Sequence, residues 1–266
     1  MDDKKVLYDG QVTKLYGNTM ETSPHVLYLI DPTFNHYLNK FKSEYYEIND
    51  ISPFTIIDLA CGDGKYTKWL KQLFPKALVV GADISPEMIQ KAINNTDKEL
   101  CINYLVKDCS DDLSSEINYA DLITALFLLN YMTNESEMLK LLTNIKKLLK
   151  PGAKFYSGQL NFDLKNNFKL LPEWDKLQPI YPAVLSNDTR VFEKIQKMKL
   201  VMKDVDSGTH VEFPQYWWDF ELIKEISLQA GFEDVVILEN ILSDKIDKEK
   251  HKIFMDCPIF SFICFK

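Results

Sequence analysis

Short apolar runs alternate with amphipathic stretches from about residue 54 to residue 160. Apolar runs bounded by turn residues suit strands buried on both faces, and apolar positions three and four apart suit helices. The pattern therefore predicts βαβ units and a parallel sheet. The predicted strands are Phe54–Leu59, Ala77–Ala82, Ile102–Val106, Leu122–Leu126 and Lys154–Leu160, with helical patterns beginning near Lys65, Ser85, Asp111 and Asn134. Ser85-Pro86-Glu87 places a capping hydroxyl, a first-turn proline and an acid at the positive end of a helix. Leu148-Leu149-Lys150-Pro151-Gly152 ends the last of these helices and turns the chain into the fifth strand.

Beyond residue 160 the alternation stops. Residues 161–215 are polar and aromatic, with a strand-like or mixed stretch at Val191–Lys203, and are expected to form an insertion that covers a site. A helix over Phe220–Ala230 is closed by Gly231, and strands near Val235–Leu238 and Ile259–Phe265 complete the sheet as an edge pair. Residues 1–45 carry tyrosines at 8, 16, 28, 37 and 45 and predict helices laid over the sheet edge. The whole reads as one domain, 1–266, with a helical cap at its start and an inserted lid. There is no internal repeat or low-complexity tract.

The formal charge of −8 argues against a protein that grips a phosphate backbone, because that affinity depends on Lys and Arg displacing counterions. Lys146, Lys147 and Lys150 read as the solvated end of a helix. Five cysteines, Cys61, Cys101, Cys109, Cys257 and Cys264, are widely spaced with no CxxC pair, so neither a metal site nor a disulfide framework is expected. The polar start and the lack of an apolar run near the roughly 18 residues needed to span a bilayer predict a cytoplasmic chain with no membrane segment.

The chemistry is concentrated after the first three strands. Ile56-Ile57-Asp58-Leu59-Ala60-Cys61-Gly62-Asp63-Gly64 runs from an apolar strand through an acid into a Gly-x-Gly turn, where backbone can approach a ligand closely. Asp83 ends the second strand, where a carboxylate can accept hydrogen bonds from the vicinal hydroxyls of a ribose. Asp108 follows the third, where it can receive an exocyclic adenine amine. An NAD-dependent oxidoreductase uses a similar turn and acid, but the third glycine of Gly-x-Gly-x-x-Gly is absent: position 67 is Thr. A cofactor-binding accessory or regulatory protein without catalysis is the other alternative.

With these residues in place, the region of roughly 50–160 resembles the class I methyltransferases that use S-adenosylmethionine (SAM). The resemblance implies an α/β, Rossmann-like fold: a seven-stranded, mostly parallel sheet flanked by helices. It also implies SAM as cofactor. Ala60 and Gly62 would approach its methionine part by backbone, and Asp58 would help orient its ammonium. Asp83 would take the ribose, Ile84 the adenine face, Asp108 the adenine amine and Cys109 the ring edge by its backbone. Asp121-Leu122-Ile123-Thr124-Ala125-Leu126-Phe127 resembles the fourth-strand motif, so Leu126 and Phe127 would line the pocket, and Tyr16 would reach the methionine carboxylate.

Methyl transfer from a sulfonium is an in-line displacement, so alignment does much of the work and no covalent enzyme intermediate is needed. A base assists a hydroxyl or ammonium acceptor; His210 and Tyr131 are the candidates, with Asn130 and Glu212 as further polar groups near the rim. Tyr216-Trp217-Trp218 either forms a ligand surface, stacking a planar substrate or enclosing a cation, or locks the insertion onto the core. The chain lacks Asn-Pro-Pro-Tyr and Asp-Pro-Pro-Tyr, found in families that methylate nucleobase or glutamine amines. With the acidic charge, this favours a small-molecule acceptor.

Overall fold

The computed structural model describes residues 10, 21, 23–47, 53–117, 119–160, 162, 180–184, 193–203, 210–247, 251, 254 and 260–266. Its centre is a sheet of seven strands: β1 (Thr55–Leu59), β2 (Leu78–Asp83), β3 (Asn103–Val106), β4 (Ala120–Leu126), β5 (Leu149–Leu160), β9 (Val235–Leu238) and β10 (Phe260–Phe265). They lie in the order β3-β2-β1-β4-β5-β10-β9. The first five run parallel, and β10 inserts antiparallel between β5 and β9, as the expected edge pair. Crossing from β1 outward to β2 on one side and β4 on the other makes the carboxyl ends of these strands the switch point, where open α/β sheets bind ligands.

Alternation along each strand divides the core. Ile56, Val79, Leu122, Tyr156 and Phe262 meet α1 (Asp31–Phe41) and α2 (Lys65–Leu73) on one face. Ile57, Val80, Ile123, Phe155 and Ile263 meet α4 (Glu135–Leu148) and α5 (Phe220–Gln229) on the other. α3 (Pro86–Asn94) starts as its sequence dictates, with Ser85 Oγ accepting from Met88 N at 3.2 Å.

Three expectations need correction. The helical pattern near Asp111 forms turns: Asp108 and Asp112 accept from the backbone N–H two residues on, at Ser110 and Ser114, and so compete with helix hydrogen bonding. Pro151-Gly152 does not separate helix from strand. α4 ends at Leu148 and β5 begins at Leu149, with Gly152 at φ 77° inside a break in the β4–β5 register. The helical stretch at 24–47, bordered by π-turns at Val26–Ile30 and Lys42–Tyr46, covers a face of the sheet instead of its edge. Phe34, Leu38 and Phe41 carry the burial, while Tyr28, Tyr37 and Tyr45 are partly buried. The strand-like reading of Val191–Lys203 holds: β7 (Ile195–Lys203) pairs with β6 (Ile180–Val184) and β8 (His210–Trp218) in a separate antiparallel sheet.

The end of β8 fastens this second sheet to the first. Adjacent strand residues point oppositely, so Trp217 enters one half of the core and Trp218 the other. Trp218 Nε1 donates to Met132 O at 3.1 Å. Both rings are buried, so of the two readings of this aromatic run the locking one describes these tryptophans.

His25 lies completely buried against the edges of the Phe254 and Phe260 rings, with neither ring nitrogen hydrogen-bonded. Burial pushes its pKa down to about 3 from 6.5. Because the folded value is the lower one, its stability contribution is complete above pH 6.5 and is lost as pH falls toward 3. At pH 5 this costs about 2 kcal/mol relative to pH 7.5. Urea unfolding at both pH values should show that loss diminished by the same amount in His25→Leu; an unchanged pH dependence would contradict the assignment.

Candidate functional site

The turn after β1 is built so that backbone faces a ligand. Ala60 and Gly62 take left-handed conformations at φ 53° and 54°, and Gly64 at φ 83° caps α2. A left-handed alanine is disfavoured, and such strain gathers where function requires a particular backbone path. A second non-glycine residue with this geometry, Phe127 at φ 66°, stands just past β4 with its N–H on Gly158 O at 2.7 Å. The two strained residues face one narrow cleft, lined by Ala60, Gly62, Asp83, Met88, Leu126, Phe127 and Tyr131.

Asp83 is the charged group of this lining. Its Oδ2 accepts from Gly62 N and its Oδ1 from Ser85 N, each at 2.9 Å, so one carboxylate joins the β1 turn to the start of α3. Burial raises its pKa; N–H donors at Ser85, Gly62 and Ile84 oppose the rise. Each carboxylate oxygen has two lone-pair sites, which leaves Asp83 capacity to accept from a ligand hydroxyl.

Asp58 lies behind the turn instead of in the cleft. It is buried, and its oxygens accept from Thr67 Oγ1 at 2.6 Å and Thr124 Oγ1 at 2.8 Å. Burial pushes its pKa up to about 6; the two hydroxyls pull it down, and the neighbouring Asp83 charge adds to the rise. Two buried carboxylates thus disfavour each other's charge, a penalty that a nearby cation would relieve. Cys109, also buried, accepts from Ala60 N at 3.4 Å through Sγ and donates to Ala82 O at 3.7 Å, supporting the turn from beneath.

The structure therefore brings together six of the sequence candidates: Ala60, Gly62, Asp83, Leu126, Phe127 and Tyr131. Asp58 and Cys109 form a supporting layer. Asp108 directs Oδ1 to Ser110 N and Oγ at 2.8 and 2.7 Å, and neither it nor Ile84 is part of this lining. His210 opens β8, eight positions from Trp218 at the docked end, roughly 27 Å along an extended strand. Tyr16 lies outside the described residues. Met88 was missed; its place in the first turn after Ser85-Pro86-Glu87 was the available signal. Thr67 and Thr124 were also missed, since nothing local marks them as partners of Asp58.

The lining fits SAM. A carboxylate able to take ribose hydroxyls stands beside close-approach backbone, Met88, Leu126 and Phe127 offer apolar surface to a purine, and the paired buried acids suit a ligand bearing sulfonium and ammonium charge. The anionic diphosphate of NAD would meet those same acids with no Lys or Arg in the described lining. Among the described residues no cluster of metal-ligating side chains occurs, and no helix is long and apolar enough to cross a membrane.

Comparison with known proteins gives a concordant result. A family model described as "Methyltransferase domain" matches residues 56–152. A ubiquinone biosynthesis O-methyltransferase of Coxiella burnetii is 28% identical over 165 residues, 57% of this chain and 68% of that protein. A protein-lysine N-methyltransferase of Saccharolobus islandicus is 32% identical over 141 residues, 53% of this chain and 80% of that protein. A tRNA N(3)-methylcytidine methyltransferase of Schizosaccharomyces pombe is 28% identical over 126 residues, 44% and 49% of the two chains. In fold, a SAM-dependent methyltransferase from Clostridium acetobutylicum superposes with a TM-score of 0.53 at 16% identity, covering 88% of this chain and 98% of that one.

Proposed function

We infer, since this chain belongs to the class I SAM-dependent methyltransferases, that it transfers the methyl group to an oxygen or nitrogen of a small-molecule acceptor bound beside Phe127 and Tyr131. Membership sets aside the oxidoreductase and accessory alternatives: the chain is an enzyme and SAM is its cofactor. When bound, SAM supplies a methyl carbon on a positively charged sulfur, open to attack by an acceptor lone pair.

The chain's own residues contribute placement. Asp83 holds the ribose side of the cofactor over β2, while the strained backbone at Ala60 and Gly62 lets the methionine side lie close to β1. Leu126, Phe127 and Tyr131 at the end of β4 form the wall toward which an acceptor approaches. Alignment of attacking atom, methyl carbon and sulfur is the main contribution of these residues; a hydroxyl or ammonium acceptor also gives up its proton before or during attack, to a base or to water.

The observation that carries the small-molecule reading is the docking of the second sheet beside that wall. Trp218 bonds Met132, and Asn130 Nδ2 donates to Tyr216 O at 3.2 Å, so β8 is fixed over the turn that contains Tyr131. A wall with a second sheet fixed beside it suits an acceptor small enough to approach it. The net charge of −8 is also ill suited to a polyanion, and one relative is named for ubiquinone biosynthesis. The relatives named for tRNA and lysine methylation define the competing outcomes. Incubation with methyl-labelled SAM and separate pools of small metabolites, tRNA and protein should place the label in the metabolite pool. Label confined to RNA or protein would overturn the reading.

A further inference from the structure

We propose that Asn130 and Gln159 form the polar subsite for the methyl acceptor, and that the acceptor is an uncharged molecule that presents a hydroxyl to them. This rests on the small-molecule reading above and narrows it. Both side chains are only 2% exposed, yet Asn130 Oδ1 and Gln159 Nε2 each lack a hydrogen-bond partner. The large majority of buried side-chain polar atoms are paired, because leaving one unpaired forfeits its bonds to water with nothing in return. Two such atoms in one region indicate a partner of complementary polarity.

Their place in the fold indicates which partner. The carboxyl ends of β2, β1 and β4 carry Asp83, Ala60 and Phe127, which line the cofactor cleft, and β5 is the next strand in the sheet. Gln159 lies at the carboxyl end of β5, directly after Gly158, whose carbonyl takes the Phe127 N–H and whose backbone pairs with Leu126. Asn130 immediately precedes Tyr131 in the Leu129–Tyr131 turn, which packs against β5, and its Nδ2 is fixed on Tyr216 O. Both orphan atoms therefore belong to residues that flank the β4 wall, on the side of the cleft away from Asp83.

The pair combines one unused acceptor with one unused donor. A hydroxyl carries one donor and two acceptor lone pairs, so it can satisfy Asn130 Oδ1 and Gln159 Nε2 together. A carboxylate only accepts and leaves Asn130 Oδ1 facing negative charge; an ammonium only donates and leaves Gln159 Nε2 unpaired. Neutral alcohols or phenols should thus be selected over acids and amines of the same shape, because a site with buried polar groups rejects analogues that leave them unpaired.

The test uses phenol, benzoate and benzylammonium, titrated by ligand-observed NMR into the full chain saturated with S-adenosylhomocysteine. Phenol should bind in preference to both charged analogues. Gln159→Met, which keeps the volume and removes the orphan donor, should bind phenol about 5- to 10-fold more weakly, with S-adenosylhomocysteine affinity unchanged and resistance to urea equal or higher. A purely structural glutamine would give the opposite: lower resistance to urea and unchanged phenol affinity. Benzoate or benzylammonium binding as tightly as phenol to the wild-type chain, which needs no variant, would overturn the proposal. So would unchanged phenol affinity in folded Gln159→Met. If a small metabolite accepts labelled methyl while these preferences fail, the subsite alone is wrong; if label enters only RNA or protein, the small-molecule reading falls with it.

Discussion

Asp83→Ala weakens SAM binding about 10- to 100-fold. The reasoning starts from the hydrogen bonds of a buried carboxylate, each charge-assisted bond being worth roughly 1.5–3 kcal/mol, and 1.4 kcal/mol corresponds to tenfold in affinity. Asp83 is the lining group able to accept from paired hydroxyls while already holding Gly62 N and Ser85 N at 2.9 Å. The substitution thus removes the ligand's partner and loosens the junction between the β1 turn and α3. Asp83→Asn separates the two effects, because it keeps one acceptor oxygen and nearly the same volume. Calorimetric titration with SAM, alongside urea unfolding of each variant, reads both. SAM affinity equal to wild type in a folded Asp83→Ala chain would refute the ribose assignment.

Gly64→Ala carries the largest expected stability effect in the turn. At φ 83° an L-residue with a Cβ is disfavoured by about 1 kcal/mol. The added carbon would also lie 2.6 Å from Tyr104 Oη and 3.0 Å from Ala92 Cβ. Overpacking of this kind costs about 1–3 kcal/mol, for a total of about 2–4 kcal/mol in urea unfolding. The closest atom is a hydroxyl that bonds Thr96 Oγ1 at 2.9 Å. Tyr104→Phe removes that hydroxyl, so the cost of Gly64→Ala should be about 1 kcal/mol smaller in the Tyr104→Phe background. Equal costs in the two backgrounds would show that the backbone conformation, and not the tyrosine, sets the requirement for glycine.

Much of this turn was legible because its constraints are local. A strand feeding Asp58-Leu59-Ala60-Cys61-Gly62-Asp63-Gly64, then an acid at the end of the next strand, specifies both the switch point and the ligand-facing backbone. The structure accordingly brings Ala60, Gly62 and Asp83 into one cleft. Strand positions were readable for the same reason: runs such as Ile56-Ile57 and Val79-Val80 are buried from both sides, so little but a central strand accommodates them.

What was not legible depends on contacts distant in sequence. Asp58 resembled a ligand-facing acid, but it lies behind the cleft lining, where its oxygens accept from Thr67 and from Thr124, the latter 66 residues away. Apolar periodicity near Asp111 suggested a helix, and the short side chains of Asp108 and Asp112 redirected the backbone into turns. His210 drew attention as a lone histidine ahead of an aromatic run. Only strand pairing shows that the run is the docked end of β8 and His210 the other end. Asn130 and Gln159 meet the same strand end from different parts of the chain, and no spacing rule would have paired them.

The account as a whole depends on one cleft holding a cationic nucleoside cofactor between Asp83 and Phe127. Calorimetric titration of the purified chain with SAM, S-adenosylhomocysteine and NAD in parallel tests this most directly. Saturable one-to-one binding of SAM and S-adenosylhomocysteine at micromolar or tighter affinity, roughly −8 kcal/mol or better, with no heat from NAD, is the predicted result. Binding of NAD, or of none of the three to the folded chain, would contradict it.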